Sequence, residues 1–155
     1  MNDERTVSQD RPAVDVSLLL VRVIVGVIFA AHGAQKLFGW WGGHGLEATV
    51  APPPDGMGPI GYLVTIGEFF GGLGLIVGFL SRFSAAALIV IMLGAIAMVH
   101  GKNGFFLQNG GFEYNLALIG LLLPILLCGP GHYSIGRFLP LPKSKNTGRP
   151  IVFLE

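Results

Sequence analysis

Residues 16–38 read VSLLLVRVIVGVIFAAHGAQKLF, a run whose only ionisable side chains are Arg22, His32 and Lys36. Wound as a helix at 1.5 Å per residue it is roughly 33 Å long, about the thickness of a bilayer's hydrocarbon core. A strand reading fails, because the run is continuous rather than alternating and too long. Comparable runs cover 59–80 (PIGYLVTIGEFFGGLGLIVGFL), 83–100 and 112–128. The last two are short for a crossing, so each is expected to borrow flanking residues. These four runs predict an all-α polytopic membrane protein, a bundle of four transmembrane helices. Residues 1–155 then form a single membrane domain with tails at 1–15 and 137–155.

Composition points the same way. Hydrophobic residues make up 52% of the chain and Gly contributes another 24 positions, whereas charged residues reach only 12%, about half the share of a soluble domain. A soluble four-helix bundle needs polar outer faces, and these helices have almost none. Nucleic acid is excluded as a partner by the scarcity of basic residues. A single Cys rules out a disulfide framework and a cysteine-based metal site.

The basic residues are unevenly placed. Arg5 and Arg11 precede the first run, Arg82 sits in the turn after the second, and Arg137, Lys143, Lys145 and Arg149 follow the fourth. The loop 39–58 has no Lys or Arg, and the loop 101–111 has only Lys102. By the positive-inside rule both termini are expected in the cytoplasm. Trp40 and Trp41 fit an interface, where amphipathic rings settle. Pro52-Pro53-Pro54 cannot continue a helix, while Pro59 suits a first helical turn. The first run is too long, and too interrupted by Arg22, to read as a cleaved signal peptide.

Gly67, Gly71, Gly74 and Gly78 recur at steps of four, three and four, a stripe along the second span. Small residues let helix backbones approach closely where lipid removes the hydrophobic drive. Ala87, Gly94, Ala97 and Gly101 in the third span, and Ala117 and Gly120 in the fourth, extend that expectation.

Function is sought among polar groups inside the spans, since an ionisable side chain in hydrocarbon costs at least about 2.5–3.5 kcal/mol and turns inward to a partner. Glu68 lies nine residues past Pro59, roughly 13 Å deep by helix rise. It must be neutral or paired with Arg22 or Lys36. Arg22 has a long stem that reaches an interface by snorkelling. His32 stands one turn before Lys36. His100 closes the third span, and Glu113, Tyr114 and Asn115 open the fourth, where the helix dipole alone favours an acid. The sequence His32-Gly33 followed by Lys36-Leu37-Phe38 is echoed by His100-Gly101-Lys102 with Phe105-Phe106. Two helical hairpins would bring these corners to one membrane face around a polar cavity with Glu68 as its floor.

The same residues carry a family resemblance. His32-Gly33 with Gln35-Lys36-Leu37-Phe38-Gly39, Gly67-Glu68 with Gly71-Gly72, Arg82, Met98, His100, Gly104-Phe105-Phe106, Gly111, Glu113-Tyr114-Asn115 and Gly129-Pro130-Gly131 resemble the DoxX family over about 17–135. The resemblance implies a four-helix bacterial inner-membrane protein, related to the membrane subunit of thiosulfate:quinone oxidoreductases and associated with redox and sulfur-handling enzymes. One departure is visible: the family often has an Asp after Ser-Leu or Ser-Ile, and here Ser134-Ile135 is followed by Gly136.

No iron–sulfur or flavin signature is present, and no close spacing links the His and acidic residues as metal ligands. A quinone headgroup is the candidate cofactor: it needs hydrogen-bond donors, a proton-exchanging acid or His, and apolar walls, for which Phe69, Phe70, Phe105 and Phe106 are candidates. Two readings stand side by side. One is a quinone-interacting subunit of a redox system, with His32, Lys36, Glu68, His100, Glu113, Tyr114 and Asn115 as ligand-binding residues. The other is a non-enzymatic anchor for soluble redox enzymes, or a small-solute permeability factor. The bilayer is the expected partner, with a soluble or membrane redox enzyme and a second copy of the chain as further candidates.

Overall fold

The structure, a computed structural model, describes residues 3–138. Helix α1 spans Asp3–Phe38, α2 Gly45–Val50, α3 Ile60–Val77, α4 Ser81–Ala95 and α5 Glu113–Cys128. No strand occurs among the described residues. Three stretches are long and apolar enough to cross a membrane, Pro12–Phe38, Ile60–Val77 and Ser81–Asn103; α5 is a shorter apolar helix of 16 residues. The protein is an all-α polytopic membrane protein. The long helices run up and down in a ring: α1 packs on α3, α3 on α4, α4 on α5, and α5 closes onto α1.

Helix α1 begins well before residue 16, since extending an established helix is cheap, and it runs through Pro12, which has no N–H to donate to the preceding turn. It stops at Gly39, whose positive φ of 72° lets its N–H bond the Gln35 carbonyl. The following loop holds the unforeseen α2 and then folds back on itself, with the Met57 N–H donating to the Thr49 carbonyl at 2.8 Å. At its far end α4 widens into one turn of π-helix, Ile96–His100, in which the Gly101 N–H reaches the carbonyl of Ile96.

Each long helix buries one stripe. On α3 it is Gly61, Thr65, Glu68, Gly72 and Leu75; on α5 it is Asn115, Leu118, Leu122 and Ile125. Val25 and Phe29 of α1 join Leu75, Leu88, Met92, Leu118 and Leu122 in the core. The opposite faces expose large apolar residues such as Leu20, Leu63, Val90 and Leu127, as lipid-facing surfaces do.

The closest approach joins α1 to α3. A Cβ on Gly26 would stand 2.7 Å from the Gly72 carbonyl oxygen, and one on Gly33 would press into the backbone of Phe69. The stripe of Gly67, Gly71 and Gly74 faces α4 instead, meeting Ile91, Leu88 and Ser84, while Gly78 ends α3 with φ 74°. Ile76, across the helix from that stripe, packs on Gly26 rather than facing lipid alone. Gly94, Ala97, Ala117 and Gly120 do not serve as packing residues: nothing lies within 4 Å of a Cβ on Gly120, only the Met98 methyl approaches Gly94, and both alanines are exposed.

Arg22 does not snorkel. It is 1% exposed, and its guanidinium donates to the carbonyls of Pro130 at 2.8 Å and Tyr133 at 2.5 Å. Arg82 donates to the Leu127 carbonyl at 3.0 Å, and Asp15 accepts the His132 N–H at 2.8 Å. The two arginines satisfy carbonyls at and beyond the negative end of α5, and with Asp15 they fix it to α1 and α4. Arg137 falls in the closing turn, and Lys143, Lys145 and Arg149 lie outside the described residues.

Candidate functional site

The end of the bundle remote from the start of α1 and the end of α5 holds a cavity of about 530 Å³. Its polar lining comprises His32 and Lys36 from α1, Glu68 from α3, His100 from the end of α4, and Tyr114 and Asn115 from α5. Phe29, Ile91, Met92 and Leu118 form apolar walls, and Pro53, Gly56 and Met57 of the first long loop border it.

An ion pair dominates the electrostatics. Lys36 Nζ lies 2.5 Å from Glu68 Oε2, with the Glu68 side chain 5% exposed and that of Lys36 23% exposed. The geometry follows from Gly33. Its contact with the Phe69 backbone clamps α1 onto α3, and Lys36, one turn further along the same face, then meets Glu68. In an apolar surround such a pair is short and charge-assisted, each partner offsetting the other's lost hydration.

The other polar groups are held individually. The His100 Nδ1 lies 2.7 Å from the Gly110 carbonyl oxygen. A carbonyl only accepts, so Nδ1 carries the proton and Nε2 is left for another partner. The wide turn of α4 precedes this contact directly and sets the angle at which His100 leaves the helix. His32 and Tyr114 meet edge to face, ring centroids 6.4 Å apart. The Asn115 amide donates to Met92 Sδ at 3.4 Å; a thioether accepts weakly, so Asn115 keeps most of its hydrogen-bonding capacity for the cavity.

Glu113 is placed elsewhere. Its Oε1 accepts the Leu107 N–H at 2.8 Å, tying the loop to the first turn of α5, and it does not line the cavity. An acid at a helix start is already favoured there by the dipole. The aromatic walls also differ from expectation. Phe69 stacks on Phe38 and Phe70, and Phe105 on Phe106 and Phe112, all away from the cavity. Phe29 and Met92 were the available signal, Phe29 one turn before His32 and Met92 two turns before His100. Among the described residues no three His, Cys, Asp or Glu side chains group closely enough to hold a metal ion.

Comparison with known proteins fits this architecture. The inner membrane protein YqjF of Escherichia coli is 30% identical over 128 residues, covering 81% of this chain and 93% of YqjF. A Bacillus subtilis protein named "Putative oxidoreductase CatD" is 30% identical over 117 residues, covering 72% of this chain and 79% of CatD. A membrane protein of Mycobacterium tuberculosis is 26% identical over 147 residues, covering 79% of this chain and 81% of its own. No solved structure gives a significant match. The DoxX family model matches residues 17–101, more than half of the chain, and with these relatives it shows that the chain belongs to the DoxX family.

Proposed function

We propose that this cavity binds the headgroup of a membrane-soluble quinone, and that the chain serves a redox system as its membrane subunit. The observation that carries the reading is the Lys36–Glu68 pair set in the wall of a largely apolar cavity. Quinone chemistry supplies a two-electron, two-proton couple, and electrons come from a partner oxidoreductase. The chain's own residues bind and handle protons. Lys36 Nζ and the Tyr114 hydroxyl donate to a carbonyl oxygen, Glu68 and His32 exchange protons with it, and Phe29 and Met92 exclude water. The name of CatD supports a link to oxidoreductases.

The test is equilibrium binding of a quinone to the full chain in nanodiscs, paired with extraction and mass spectrometry of quinone from protein purified in native lipid. Saturable binding, weakened at least tenfold by Glu68→Gln in a protein of unchanged melting temperature, supports the reading. No saturable binding and no copurified quinone would overturn it.

The orientation belongs to the same proposal: both termini in the cytoplasm and the cavity end outside. It is supported by the seven basic residues on the termini side against Lys102 alone on the other. In a Cys128→Ser background, Asp55→Cys should react with an impermeant maleimide on intact cells, and Ser144→Cys only after permeabilisation. The opposite pattern inverts the topology.

A further inference from the structure

Glu68 and Asn115 lie buried within the cavity, and much of its rim is apolar. The lining residues Met57, Ile60, Met98 and Val99 are 39%, 43%, 59% and 44% exposed. They come from the start of α3, the loop before it, and the end of α4. Val64 and Ala95 stand behind them on the same two helices. Below this level α3 and α4 are zipped together, with Gly67 against Ile91, Gly71 against Leu88 and Gly74 against Ser84. Beyond Gly67 the two helices present side chains to the cavity.

The α4 side of this opening includes the π-helical turn Ile96–His100. Single π-helical turns are rare and recur at functional sites. Methionine at the rim adds an unbranched side chain that adapts to irregular apolar ligands. Ile60 and Met98 both belong to stretches apolar enough to cross the membrane, Ile60–Val77 and Ser81–Asn103. With both stretches spanning the bilayer, an opening between them at this level would meet the lipid near its outer margin.

We infer that the cavity is reached sideways from the bilayer, through a portal between the distal halves of α3 and α4. Its ligands are amphiphiles whose apolar chain lies between Val64 and Ala95 while the polar head meets Lys36 and Glu68. The inference rests on the quinone reading for the nature of the head, but not for the portal. It separates a ligand drawn from the membrane from a small solute arriving through water, which has no use for an apolar rim.

The test compares two quinones at equilibrium in nanodiscs, corrected for partitioning: decylubiquinone, which carries a chain, and duroquinone, which does not. Ala95→Phe should weaken decylubiquinone at least tenfold more than duroquinone. Leu93→Phe, on the exposed face of α4, should change neither. Equal losses for both probes, or none, would overturn the portal. A second readout needs no quinone. With Trp40 and Trp41 replaced by Phe, a Val64→Trp reporter should be quenched at least twofold by phospholipids brominated in their chains, and Ala95→Phe should remove most of that quenching. Quenching that is absent, or indifferent to Ala95→Phe, overturns the portal whatever the quinones do. Sensitive quenching without any quinone binding supports the portal and overturns the quinone reading.

Discussion

Gly72→Ala should leave almost no folded protein, although it adds a single methyl group. A Cβ at Gly72 would stand 2.5 Å from the backbone nitrogen of Ala30 and 2.6 Å from the carbonyl oxygen of Gly26. Both neighbours are helix backbone, so neither rotates away, and relief requires α1 and α3 to part along their whole contact. Overpacking a core side chain costs about 1–3 kcal/mol. Backbone against backbone belongs at or above the top of that range, a large share of the 5–15 kcal/mol or so that holds a typical protein folded. The adjacent Gly71→Ala is the control. Its Cβ would meet only the Leu88 side chain, at 3.3 Å, and a rotamer adjustment absorbs it for about 1 kcal/mol or less. Yield after size-exclusion chromatography and thermal unfolding in detergent measure both variants. Equal melting temperatures for the two would remove the α1–α3 contact from the account of the fold.

That contrast marks where the sequence was readable. The spans were legible because apolar runs of this length have few other uses. Which face of each span looks inward was not, because lipid and protein interior are equally apolar and leave no amphipathic period to follow. Gly67, Gly71, Gly74 and Gly78 form the more regular pattern, and the first three do face a helix, α4, while Gly78 meets Arg22 and Ser134. The tighter contact uses Gly72 with Gly26 and Gly33, one residue out of step with that stripe. Gly120 looked equivalent on paper and meets nothing within 4 Å. Helix α2 escaped notice because six residues between Gly-rich and Pro-rich stretches carry no periodic signal.

The polar site was more legible, for an energetic reason. His32, Lys36, Glu68, His100, Tyr114 and Asn115 converge on one cavity, as the cost of ionisable groups in hydrocarbon requires of the charged ones. That argument weakens at a span's end, and Glu113 is the residue at such an end; its carboxylate holds Leu107 instead. The walls could not be picked out, since aromatic rings are comfortable on lipid faces, in loops and in cores alike. Phe70 and Phe105 took the first two, and Phe29 took the third.

The ion pair offers the other large effect, and an asymmetric one. Lys36→Met should destabilise the protein by about 3 kcal/mol or more, the range for stripping one partner from a buried pair. It leaves the Glu68 carboxylate, 5% exposed, without its cation. Glu68→Leu should cost much less, about 1 kcal/mol, because Lys36 is 23% exposed and near the end of α1. Its long stem can carry the ammonium toward the interface. The double variant Lys36→Met/Glu68→Leu removes both charges together and should recover most of the loss, since replacing a buried pair by apolar groups of similar size is often neutral or better. A thermal-unfolding cycle over the four proteins then gives a coupling of about 2 kcal/mol or more. If Lys36→Met melts like the parent, the two side chains do not meet in the membrane, and a charged floor to the cavity goes with them. If the double variant is as stable as the parent and still binds quinone, the pair serves the fold alone. Restored stability with binding lost is the expected result. It would mean that two charges are kept in an apolar wall for what they hold there, since the helices around them hold about as well without either.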